Sequence, residues 1–220
     1  MTAAGVVPRP AATLMVLRDS PSGPEVMMLR RTERSEFVPG VLLFPGGALE
    51  ESELDLSAGI SDDHLGYRVA AIRETLEESG ILVAVDSQPD PQTLRHLRQV
   101  TKAQPSRFVD ILGEIGIRIR PERLVFVSRW VTPPGKPRRY DTRFYACEVP
   151  AHADPEPDGV EVTQVCWLRP GEALARASRG EENLMLPTMA NLRSIDGHAT
   201  VASLIEQLRC GADESARAVR

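Results

Sequence analysis

The pattern of apolar and polar positions opens with two short apolar runs, residues 13–17 and 25–29. Asp19-Ser20-Pro21-Ser22-Gly23 between them is a cluster of turn formers, so the pair predicts a β-hairpin. A polar stretch over 30–36 leads into Phe37-Val38-Pro39-Gly40, a short apolar run, and Phe44-Pro45-Gly46-Gly47. Residues 50–66 are acidic and aperiodic, with Glu50, Glu51, Glu53, Asp55, Asp62 and Asp63. They predict either a solvated loop or the first turn of a helix capped by Ser61. Val69, Ile72 and Leu76 recur at helical spacing and predict a helix over 67–79, with Gly80 as its left-handed C-cap. The β-branched run at 81–85 predicts a buried strand, and 91–117 a helical region broken near Pro105. Further strands are expected at 124–131, 143–149 and 162–168, and helices at 171–179 and 200–208. Strands and helices mix without strict alternation, which favours an α+β fold. The expected organisation is one domain over 1–210 and a flexible tail over 211–220.

Length and charge narrow the class. A chain of 220 residues, 42% hydrophobic and 26% charged, suffices for one domain with a core. Its net charge of −5 argues against tight binding to a nucleic-acid backbone. No apolar run approaches the roughly 20 residues of a membrane span, and Pro8 and Pro10 interrupt the N-terminal segment, so a cytoplasmic protein without a membrane partner is expected. Cys147, Cys166 and Cys210 are widely spaced, as are His64, His96, His152 and His198, which leaves a zinc site or a Ser-His-Asp triad without a starting pattern.

The chemistry concentrates in Arg73-Glu74-Thr75-Leu76-Glu77-Glu78-Ser79-Gly80-Ile81. Glu74, Glu77 and Glu78 stand at i, i+3 and i+4, so their like charges share one helix face and repel. Two readings follow: a solvated acidic face with Arg73 and Glu77 as an i,i+4 pair, or an inward face whose repulsion is offset by a divalent cation. Gly46 and Gly47 allow a close backbone approach to a ligand and favour the second.

These residues resemble the signature of the Nudix hydrolases: Gly, five residues, Glu, seven residues, then Arg-Glu-hydrophobe-x-Glu-Glu-x-Gly-hydrophobe. The second half is Arg73 to Ile81, with Thr75 at the aliphatic place; the first half is Gly47, five residues, Glu53. Between Glu53 and Arg73 stand 19 residues where the signature has seven, an insertion of 12 at about 54–66. Counting back from Arg73 reaches Leu65, so Glu53 and the neighbourhood of Leu65 are rival places for the first glutamate. Arg129-Trp130-Val131-Thr132-Pro133, Arg138-Arg139-Tyr140-Asp141-Thr142-Arg143-Phe144 and Leu186-Pro187-Thr188 are similar to the long-insert branch, which includes peroxisomal coenzyme A diphosphatases. The ending Ala218-Val219-Arg220 departs from a peroxisomal signal.

The resemblance implies an α/β/α sandwich with a mixed sheet plus extra helices. It implies metal-dependent hydrolysis of a diphosphate linkage in a small nucleoside diphosphate derivative, with coenzyme A or acyl-coenzyme A as candidates. The alternative is a nucleotide-sensing module without turnover. Mg²⁺ or Mn²⁺ is then expected on Glu74, Glu77, Glu78 and the Gly46 carbonyl, with Arg73 orienting a glutamate by a bidentate bond. Glu161 is the candidate general base. Arg31, Arg34, Arg138 and Arg139 are candidates for substrate phosphate, with Gly46 and Gly47 as the loop beside it. Trp130 and Phe44 either stack on a base or pack in the core. A homodimer is expected.

Overall fold

A computed structural model gives the fold of the chain over residues 5–35, 38–57, 64–211 and 218–219. Its axis is strand β1 (Arg9–Arg18). One edge of β1 pairs in parallel with β6 (Tyr140–Glu148) along almost its whole length. The other edge is shared. At its C-terminal end β2 (Glu25–Arg31) pairs antiparallel through Leu17 and Val26, closing the expected hairpin. At its N-terminal end β4 (Gly46–Ala48) pairs antiparallel, with Thr13 opposite Gly46 and Ala11 opposite Ala48. β2 therefore diverges from β1 and carries β3 (Leu42–Leu43) and β7 (Val162–Leu168). Beyond β6 the sheet adds β5 (Val125–Val131) antiparallel, then β8 (Ala218–Val219) in parallel. The sheet splays about β1, and the Gly46-Gly47 strand fills the fork.

Helices cover both faces, so β1 is apolar on both. Leu14 and Val16 face a core built with α2 (Leu65–Ser79), α3 (Pro91–Ala103) and α4 (Phe108–Ile115). Met15 and Leu17 face a second core with α5 (Pro170–Ser178), α6 (Leu186–Ile195) and α7 (Val201–Cys210). This is the expected α+β arrangement of a mixed sheet between helical layers.

The site helix, α2, buries Val69, Ala70, Ala71, Ile72 and Leu76 against β1 and its neighbours. Thr75 and Ser79 fold their hydroxyls back onto the carbonyls of Ala71 and Thr75, which lets two polar residues enter the core satisfied. Gly80, at φ +71°, ends the helix and donates its N–H to the Leu76 carbonyl.

Three expectations change. Residues 81–85 are buried but form no strand: Ala84 turns to φ +53°, and the segment makes one bridge, Val85 to Ile119, beneath α2 and α4. The acidic segment holds a helix, α1 (Glu51–Ser57), whereas the proposed Ser61 cap lies outside the described residues; α2 starts after His64 with no side-chain cap. The helix α6 was not expected from periodicity. The tail expected over 211–220 falls mostly outside the described residues, apart from β8.

Replacing Gly80 by alanine forces a left-handed residue with a Cβ into the end of the site helix. We expect a loss of about 1 kcal/mol in urea unfolding with the fold retained.

Candidate active site

The site is assembled around a buried arginine. Arg73, on the inner face of α2, is 2% exposed. Its Nε and Nη2 donate to the two carboxylate oxygens of Glu53 at 2.7 and 3.1 Å, a bidentate fork. Its Nη1 donates to Glu74 at 2.9 Å and Glu77 at 3.2 Å, and Nη2 also reaches the Ala48 carbonyl. Glu53 in turn accepts the Glu50 backbone N–H, fastening the start of α1. This decides between the two places left open by the spacing: Glu53 is the glutamate that meets Arg73, across the inserted residues. It was a counted but unassigned residue, and Gly47-x5-Glu53 was its only signal.

Glu78 lies on the side of α2 facing the glycine strand. It is buried and accepts the Gly46 N–H at 2.9 Å. Close approach requires a glycine at 46 and favours one at 47. A Cβ on Gly46 would stand 2.4 Å from the Ala12 carbonyl oxygen, and one on Gly47 would stand 2.4 Å from the Glu74 carboxylate. At Gly46 the obstacle is backbone, so no other residue type lets β4 lie against β1 there; at Gly47 it is the end of a side chain that can turn away.

Three carboxylates, Glu53, Glu74 and Glu77, thus hydrogen-bond one guanidinium, and a fourth, Glu78, stands beside them on the Gly46 N–H. Burial pushes Glu74 up to about 7, with the Glu77 charge adding and Arg73 opposing. Burial also raises Glu77 and Glu53, again against Arg73. Glu78 is held well above the usual carboxylate range by burial and then by the Glu74 charge; the Gly46 N–H and Arg31 oppose this, and Glu161 adds to it. Arg73 is also raised, but for a different reason: burial alone would lower it, and Glu53, Glu74 and Glu77 hold it above its ordinary value. The cluster is short of positive charge.

That deficit, with hard oxygen donors on one helix face, fits a divalent cation. The carboxylates do not converge as they stand: among the described residues no three acidic, cysteine or histidine side chains gather at coordinating geometry. Glu74 and Glu77 are turned onto Arg73, and Glu78 onto Gly46. Taking up a cation therefore requires their side chains to rotate away from these hydrogen bonds.

A cleft of about 580 Å³ opens beside the glycine strand. Its floor is Thr13, Gly46 and Gly47; its walls are largely apolar and include Leu43, Phe44, Trp130 and Leu186. Of the four arginine candidates, Arg31 and Arg138 line it. Arg34 and Arg139 do not. Arg139 instead donates to the Thr132 and Val6 carbonyls at 2.9 and 2.6 Å, binding the β5–β6 turn to the N-terminal segment. Arg34 lies in an exposed turn. Glu161 is exposed just before β7, with its charge felt at Glu78. Phe44 is a core residue at 2% exposure, whereas Trp130 is half-buried on the cleft wall. The apolar walls and the start of α6 were the part of the site that spacing did not reveal.

Comparison with known proteins places this geometry. The chain matches the family described as the NUDT19 Nudix domain over residues 56–195. It is similar to the acyl-coenzyme A diphosphatase NUDT19 of Xenopus laevis, at 28% identity over 204 residues, 68% of this chain and 54% of that protein. The Gallus gallus protein of the same name is 27% identical over 236 residues, 79% of this chain and 62% of that protein. The chain thus spans little more than half the length of these curated relatives. A solved NUDIX hydrolase from Alicyclobacillus acidocaldarius superposes with a TM-score of 0.80 at 29% identity, covering 91% of this chain and 96% of that one.

Two outcomes are expected. Arg73→Met leaves Glu53 buried without its counter-charge and should cost about 3–5 kcal/mol in urea unfolding. Glu74 binds its proton more tightly folded than unfolded, so its contribution to the stability of the metal-free protein is full below the unfolded value near 4.5. It is lost as pH rises through about 7. The melting temperature in EDTA should therefore fall between pH 5 and pH 8, and Glu74→Gln should flatten that fall.

Proposed function

The chain belongs to the NUDT19 Nudix domain family, and from that premise we propose that it is a metal-dependent hydrolase of a diphosphate linkage in a nucleoside diphosphate derivative, with coenzyme A or acyl-coenzyme A as substrate. The observation that carries this reading is the carboxylate cluster: buried acids that outnumber the guanidinium they bind, set against the Gly46-Gly47 strand that lines an open cleft. A solvated acidic face has none of these features. No described helix is long and apolar enough to cross a membrane. The remaining proposals are that residues 1–210 act as one domain and that the protein pairs as a homodimer.

Glu74, Glu77, Glu78 and the Gly46 carbonyl would hold Mg²⁺ or Mn²⁺. When bound, such ions neutralise the diphosphate and lower the pKa of a water. The chain supplies the rest. Arg73 Nη1 holds Glu74 and Glu77 until they turn to a cation, while its fork on Glu53 fixes the guanidinium plane beside them. Gly46 and Gly47 let the diphosphate lie against backbone. Arg31 meets the diphosphate from the cleft side. Glu161 accepts the proton of the attacking water, whose oxygen bonds to phosphorus as the P–O–P bridge breaks. For coenzyme A the products are 3′,5′-ADP and 4′-phosphopantetheine. Arg138, which lines the cleft, would meet the 3′-phosphate, and Arg139 would stay on its backbone carbonyls.

The test is a product-identified hydrolysis screen by mass spectrometry over coenzyme A, acyl-coenzyme A, ADP-ribose, NADH and dinucleoside polyphosphates with Mg²⁺ or Mn²⁺. Coenzyme A should give 3′,5′-ADP and phosphopantetheine. Cleavage of another member alone would discard coenzyme A. Glu77→Gln and Glu78→Gln should each lower kcat about a hundredfold or more with unfolding curves retained. Arg138→Ala should raise KM for coenzyme A about tenfold and leave dephospho-coenzyme A unchanged.

A further inference from the structure

Behind the cleft wall runs a chain of buried polar groups that the chemistry above does not use. Trp130 Nε1 donates to Ser128 Oγ at 3.2 Å, Ser128 Oγ donates to Asn191 Oδ1 at 2.7 Å, and Asn191 Nδ2 donates to the Pro187 carbonyl at 3.0 Å. Every donor runs in one direction, so each hydroxyl and amide is satisfied by the next. Ser128 and Asn191 are 8% and 2% exposed. Asn191 stands in the buried stripe of α6 with Thr188, Leu192 and Ile195, where an apolar side chain of similar size would avoid the cost of burying an amide.

The strand is built to aim these residues. In β5, Val125 and Val127 pack in the core with α6 and α7, while Phe126 packs in the core with α2. Strict alternation would send Ser128 and Trp130 to the α2 face. The pairing of β5 with β6 shifts register between Phe126 and Ser128, and this irregularity resets the phase. Ser128 and Trp130 then point to the α6 face, where Ser128 meets Asn191 and Trp130 enters the cleft. Both ends of the polar chain, Trp130 and Pro187, line the cleft.

We propose that Ser128 and Asn191 are positioning residues that lock the Trp130 indole and the first turn of α6 into one rigid cleft wall, on which a planar ring of the substrate stacks. The inference rests on the hydrolase reading for its ligand, and it assigns these residues to affinity and selectivity, apart from bond cleavage. Removing either hydrogen-bonding group frees the indole and the α6 turn to move independently, so binding weakens while the carboxylate site is untouched.

The chain has two tryptophans, Trp130 and Trp167. The Trp167 Nε1 has no hydrogen-bond partner, so Trp167→Phe gives a single-tryptophan protein reporting from the wall. In that background, titration with ADP-ribose, coenzyme A and hexanoyl-coenzyme A in EDTA should quench Trp130. Ser128→Ala and Asn191→Leu should red-shift its emission, increase acrylamide quenching of the free protein, and weaken ligand binding about tenfold. In steady state with Mg²⁺ they should raise KM by a similar factor with kcat within about twofold, and Ser128→Thr, which keeps the hydroxyl, should restore both readouts. Trp130→Ala should give the same KM, and combining it with Asn191→Leu should add nothing. The inference is overturned if no ligand quenches Trp130, if the Trp130→Ala and Asn191→Leu losses multiply, or if kcat falls at constant KM. Quenching without turnover would uphold the wall and sink the hydrolase reading; turnover without quenching would do the reverse.

Discussion

The Arg73–Glu53 fork is the interaction on which the site depends. A guanidinium at 2% exposure is unsustainable alone, and so is a carboxylate beside it. Together they fix the start of α1 to the middle of α2, and the remaining guanidinium nitrogen reaches Glu74 and Glu77. The guanidinium bonds three acids and leaves Glu78 to a backbone N–H. The surplus negative charge is what separates this helix from an ordinary acidic face, because a solvated face would lose its repulsion to water.

A second constraint is steric. The splay of the sheet about β1 creates a fork that β4 fills, and at Gly46 the facing backbone leaves no room for a Cβ. With Gly46 and Gly47 in place, the backbone forms the floor of the cleft and also hydrogen-bonds Glu78. Stability and chemistry are therefore set by the same two residues. The irregularity in β5 performs a similar service on the opposite wall: a shift in pairing moves Trp130 from a core face to the cleft.

How much of this was legible in sequence depended on the range of the interaction. The carboxylate face of α2 and the Gly80 cap were readable because both follow from helical periodicity within one element. Arg73 was read as a partner of a glutamate, but which one was ambiguous, since an insertion changes spacing in sequence without changing where α1 lands. Residues 81–85 misled because a β-branched apolar run is equally suited to a strand and to buried coil. The helix α6 was hidden because Thr188 and Asn191 occupy two of its buried positions, and a polar residue in an apolar stripe erases the signal. Arg138 and Arg139 were indistinguishable as neighbours; the fold separates them by lining the cleft with Arg138 and turning Arg139 to backbone carbonyls.

The central claim is that the surplus carboxylates of α2 are a cation site. It is tested most directly by titrating Mn²⁺ into the purified protein and following free Mn²⁺ by electron paramagnetic resonance at pH 6 and pH 8. The account predicts binding that strengthens from pH 6 to pH 8, as Glu74 loses its proton, and that is largely abolished by Glu78→Gln. Binding that is independent of pH and unchanged by Glu78→Gln would contradict it.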